Sequence, residues 1–75
     1  MNDDELDLVF HALASQPRRE ILAAIRADPG CNLNAVAAQF SMSRIGIMKH
    51  LDVLEAANLI VSDKVGRERQ LYFNP

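Results

Sequence analysis

Apolar residues recur along this chain at helical spacing four times, and the pattern then switches to alternation. Leu6, Val9, Phe10 and Leu13 stand at i, i+3, i+4 and i+7, one face of a helix that Asp3 or Asp4 would cap and that runs to about Ala14. Leu8 lies off that face. Ser15 and Pro17 open a second helix, with Ile21, Leu22 and Ile25 as its stripe and Pro29-Gly30 as its stop. Asn32 can cap a short third helix carrying Leu33, Val36, Ala37 and Phe40. Ser41-Met42 is then a turn, and Ser43 caps a fourth helix over residues 43–57. In it Ile47, Leu51 and Leu54 share the inward face, and Met42 before the cap can staple against Ile47. Asn58 suits the left-handed residue that ends such a helix. Leu59 to Val65 and Glu68 to Phe73 read as strands joined at Gly66-Arg67, with Leu59, Val61, Leu71 and Phe73 facing inward.

This order predicts a mainly α fold with a small β-hairpin: a winged helix-turn-helix of about four helices and a two-stranded wing, forming a single domain over residues 1–75. The length of 75 residues agrees with one domain. A hydrophobic fraction of 49% argues against disorder. No apolar run approaches the roughly 20 residues that span a bilayer, so no membrane association is expected. The acidic start, Asn2 to Glu5, is unlike a secretory or transit peptide. One cysteine, Cys31, cannot form an internal disulfide and fits a reducing cytoplasm.

Net charge is −2, which by itself does not suggest a polyanion ligand. Its distribution does. Residues 1–40 hold three arginines against six carboxylates, whereas residues 41–75 hold five cations (Arg44, Lys49, Lys64, Arg67, Arg69) against four carboxylates. The basic side falls on the fourth helix and the wing.

With Ile47, Leu51 and Leu54 inward, helical geometry turns Arg44, Ile45, Met48, Lys49 and Asp52 outward. Arg44 and Lys49 can donate to guanine edges or phosphates, and Ile45 and Met48 can meet thymine methyls. Ser43 and the free N–H groups at the helix start can hold a phosphate. His50 sits beside Lys49 as a structural or phosphate contact, and its titration would make DNA affinity depend on pH. Lys64, Arg67 and Arg69 suit phosphate or minor-groove contacts. The opposing reading makes Ile45 and Met48 core residues and the wing cations solubilising charges. Gly46, within the helix, points to a close approach of the third helix. The expected DNA-contacting set is therefore Ser43, Arg44, Ile45, Met48, Lys49, His50, Lys64, Arg67 and Arg69. No nucleophile–base set, paired carboxylates or phosphate loop is present, so no enzymatic activity and no cofactor are expected. The alternative to DNA binding is a winged-helix protein-interaction module.

Three segments, LASQPRREIL (Leu13 to Leu22), SMSRIGIMKHLDVLEAANLIV (Ser41 to Val61) and VGRERQLYFNP (Val65 to Pro75), resemble the arsenic-resistance repressor (ArsR) type of bacterial winged helix-turn-helix regulators. The resemblance covers about residues 8 to 75. It implies a cytoplasmic transcriptional repressor that binds double-stranded DNA at a roughly palindromic operator as a homodimer and is released by an inducer, whose chemistry the sequence does not specify. Such proteins dimerise through the first helix and a helix after the wing. The chain ends at Pro75, where that last helix would begin, which leaves Leu6, Leu8 and Val9 as the candidate dimer surface and makes a weak homodimer, or half-site binding by a monomer, the expectation. Metal sensors of this type carry Cys-x-Cys in the third helix. The matching positions are Asn32 and Asn34, with Cys31 out of register, so no metal site is expected.

Overall fold

The computed structural model describes residues 2–75. In chain order the elements are α1 (Asp3–Leu13), α2 (Gln16–Ala27), β1 (Cys31–Asn32), α3 (Leu33–Ala37), α4 (Arg44–Ala56), β2 (Ile60–Val65) and β3 (Glu68–Phe73). The caps follow local chemistry. Ser15, Asn32 and Ser43 each accept a hydrogen bond from the backbone N–H three residues on. α1 is capped by Asn2 rather than by Asp3 or Asp4. Asn2 and Glu5 form a reciprocal capping box, and the two aspartates lie in the first turn, where negative charge meets the positive end of the helix dipole. Asn58, at φ 59°, ends α4 as expected.

The C-terminal carbonyls of α1 are taken up by α2. Arg18 donates to the oxygens of Ala12 and His11, each at 2.9 Å, and Arg19 donates to that of Leu13 at 2.6 Å. Without them the carbonyls of Ala12 and Leu13 would need water; that of His11 also accepts from the Ala14 N–H at 3.4 Å. The core gathers Ala12, Ile21, Ile25, Val36, Ile47, Leu51, Leu54, Ile60 and Leu71 from every layer.

Besides the α1 cap, four features of the fold differ from expectation. The sheet has three strands in the order β1-β3-β2, because Cys31 and Asn32 pair antiparallel with Leu71 and Gln70. β2 has the opposite facing from that expected: Ile60 is buried and Val61 is 47% exposed. The register sets this, pairing Ile60 with Phe73 and Ser62 with Leu71, and directly opposed residues share a face. α3 ends before Phe40, which packs on the core from the following turn. In α1, Phe10 is 61% exposed, and Ala12 is the buried residue with Val9 packed beside it.

Candidate nucleic-acid interface

α3, a turn and α4 form the helix-turn-helix, and the β2–β3 hairpin stands beside it. Asn34 of α3 accepts a 2.7 Å hydrogen bond from Arg44 Nη1, joining the start of α4 to α3. Ser43 Oγ accepts from Gly46 N at 3.0 Å and fixes the first turn. Gly46 does not sit against α3. A Cβ there would meet Ser43 Oγ at 3.2 Å and Met42 at 3.8 Å, so the crowding comes from the cap itself.

The outward face of α4 is as helical geometry demands. Ile45 is 67% and Met48 42% exposed, while Ile47 between them is fully buried. Ser43, Arg44 and Lys49 are exposed. Two exposed isoleucine and methionine side chains on a helix with a full core face are surface that burial has not used. On the wing, Lys64 and Arg67 are exposed. Arg44 and Met48 meet Arg67 and Arg69 along one cleft of about 250 Å³, which Asn32, Leu33, Asn34 and Glu68 complete. Helix and wing thus present cations, amides and apolar groups to a common space.

Besides Ser43 and Arg44, bonded to Gly46 and Asn34, two of the expected residues are engaged within the protein. His50 is half-buried and turned toward α2, its Nδ1 3.4 Å from Arg18 Nη1. The guanidinium has only donors, so the neutral ring accepts at Nδ1 and carries its proton on Nε2. Burial, and secondarily the Arg18 charge, hold the His50 pKa below its ordinary value. Arg69 is ion-paired with Glu55 and lies 3.7 Å from Asp52. The residues expected at a dimer surface lie on α1. Leu6 and Leu8 are exposed, and Val9 is half-buried against the core.

The family model of the helix-turn-helix domain matches residues 13–63. An uncharacterized HTH-type transcriptional regulator of Bacillus subtilis (strain 168), YuzN, is 35% identical over 74 residues, covering 91% of this chain and 80% of the relative. The crystal structure of an ArsR family transcriptional regulator superimposes with a TM-score of 0.87 at 30% identity, over 97% of this chain and 74% of that one. The chain belongs to the ArsR type of winged helix-turn-helix regulators. An ArsR-like transcriptional regulator from Rhodococcus sp. RHA1 is similar too, with a TM-score of 0.82 at 37% identity over 93% of this chain and 65% of that one.

Within this ArsR-type fold, Asn32 and Asn34 have structural partners. Asn32 caps α3 and also reaches Glu68 at 3.4 Å, and Asn34 holds Arg44. Among the described residues no group of three or more His, Cys, Asp or Glu side chains is placed to hold a metal ion. Burial, and secondarily Asp28, raise the Cys31 thiol above its ordinary pKa, which keeps it protonated and weakly nucleophilic. No helix is long and apolar enough to cross a membrane among the described residues. Asn34, which lines the cleft and holds Arg44, is the residue of this surface that sequence reasoning missed. Its only signal is a polar side chain in the first turn of α3.

Proposed function

We infer that this ArsR-type chain is a DNA-binding transcriptional regulator that represses transcription. α4 lies in the major groove with its N-terminal half on the bases, and the wing over residues 62–70 follows the adjacent backbone or minor groove. The observation that carries this reading is the shared cleft, where Arg44 and Met48 of α4 face Arg67 of the wing. α4 has 13 residues and is therefore about 20 Å long, enough to lie in a groove about 12 Å wide. Ser43, Arg44, Ile45, Met48 and Lys49 are the reading set. Lys64 and Arg67 contact phosphates. A weak homodimer through Leu6 and Leu8 of α1 would set two α4 helices about 34 Å apart, one turn of DNA.

The test is equilibrium binding to duplex DNA across a salt series. Several phosphate contacts require affinity to fall steeply as salt rises. Lys49→Ala should cost about 1–3 kcal/mol if Lys49 meets a base, and Arg67→Ala should weaken all sequences alike. Binding indifferent to salt and to both substitutions would instead identify a protein-interaction module.

A further inference from the structure

We propose that Arg69 is a positioning residue, latching the wing to α4 through Glu55 and Asp52, and that these two carboxylates therefore support DNA binding despite their charge. The proposal rests on the DNA-binding reading above.

The β2–β3 register places Lys64 opposite Arg69 and Ser62 opposite Leu71. Leu71 is in the core, so Arg69, two residues earlier on the same strand, faces α4 from the same side of the sheet. One oxygen of Glu55 takes the Arg69 guanidinium and the other accepts from Ser62 Oγ at 3.1 Å. A single helix carboxylate thus holds both strands of the wing. Asp52, one turn earlier, adds an ion pair at 3.7 Å. The Arg69 side chain is 29% exposed. Arg67, two residues away, is exposed and makes no ion pair among the described residues.

Beyond this latch, the outer hairpin's tie to the rest of the protein among the described residues is the 3.4 Å hydrogen bond from Asn32 to Glu68. Asp63 to Glu68 are all exposed. A two-stranded ribbon without a packed face is only marginally rigid. The angle at which Lys64 and Arg67 meet DNA is therefore set mainly where charge ties both strands of the ribbon to α4, at Ser62 and Arg69, with the exposed Asn32–Glu68 hydrogen bond beside it. If Arg69 left for a phosphate, Asp52 and Glu55 would stand unneutralised beside the DNA backbone. A cation already placed between two carboxylates is poorly suited to be a phosphate contact. It is well suited to cancel their repulsion and hold the wing.

The experiment measures binding of the full chain to a pool of random-sequence 20-base-pair duplexes by fluorescence anisotropy across a salt series. Thermal melts first establish that each variant is folded at the assay temperature. The variants are Arg67→Gln, Arg69→Gln, Glu55→Gln, and a charge swap carrying Glu55→Arg with Arg69→Glu. Glu55→Gln removes a negative charge, so simple electrostatics predicts tighter binding. The latch predicts weaker binding, by about 3- to 10-fold, through loss of wing contacts. Arg69→Gln weakens binding similarly and leaves the salt slope near that of wild type, whereas Arg67→Gln lowers the slope by about one. The swap keeps net charge and returns affinity to within about threefold of wild type. Tighter binding by Glu55→Gln, or a slope loss for Arg69→Gln equal to that of Arg67→Gln, overturns the latch while leaving the DNA reading intact. Wild-type protein that binds no duplex at low salt overturns both.

Discussion

Two isoleucines two residues apart on α4 separate the core from the outward face proposed to read DNA. Ile47 is fully buried and Ile45 is 67% exposed. Ile47→Val removes one methylene from a packed interior, and such deletions cost about 0.5–1.5 kcal/mol. In a domain of this size about 1 kcal/mol moves Tm by roughly 4–8 °C. Ile45→Ala is the larger deletion, yet its side chain has little packing to lose. Alanine is also the better helix former, so stability should stay within about 0.5 kcal/mol of wild type. The order reverses on DNA. If Ile45 covers a thymine methyl, Ile45→Ala loses about 1 kcal/mol, roughly fivefold in Kd, on a duplex with thymine at the contacted step. Ile47→Val, once folded, binds as wild type does. The assays are thermal melts for both variants and duplex titrations at one fixed salt concentration. A Tm loss for Ile45→Ala as large as that for Ile47→Val would instead place Ile45 in the core. Unchanged affinity of Ile45→Ala for every duplex tried would refute the thymine contact.

Ser43→Ala removes the acceptor for the Gly46 N–H and should cost about 1 kcal/mol, read as a Tm fall of several degrees; Ser43→Asp should restore most of it. Gly66 turns the wing at φ +62° with open space around it, so Gly66→Ala should cost about 1–2 kcal/mol from backbone strain alone and Gly66→Asn less, in the same melts. His50 has a depressed pKa in the folded protein, so the unfolded chain binds its proton more readily. Its contribution to stability is present above the ordinary histidine pKa of about 6.5 and is lost as pH falls through the lower folded value. Melts from pH 7.5 to 5 should therefore show a steeper decline for wild type than for His50→Gln, and equal declines would rule out the Arg18–His50 contact as the source.

Much of the fold was legible because its signals are local. Ser15, Asn32 and Ser43 announce helix starts through side-chain acceptors, and Asn58 announces a helix end through its tolerance of positive φ. Ile47, Leu51 and Leu54 obey a period that only one helical face can satisfy. What was missed depends on partners distant in the chain. β1 is two residues long and exists only because Leu71 and Gln70 offer it an edge. Leu59, Ile60 and Val61 are consecutive apolar residues, so alternation alone cannot choose which faces inward, and the cross-strand register decides. Phe10 fits the apolar stripe of α1, but docking on α2 and α4 buries a narrower arc centred on Ala12. Arg18 with His50, and Arg69 with Glu55, are joined across 32 and 14 positions, and charge counting sees Arg69 only as one more cation. The sequence therefore pointed to α4 and the wing, but could not tell the free cations there from the engaged ones.

The most direct test of the account is an amide-resolved NMR titration of the protein with a generic 16-base-pair duplex at low salt. Contact through α4 and the wing requires shifts concentrated at residues 43–49 and 64–67 that fade as salt is added, with the α2 amides near Arg19 to Ala27 unmoved. Shifts centred on α1, or none along the outward face of α4, would contradict it.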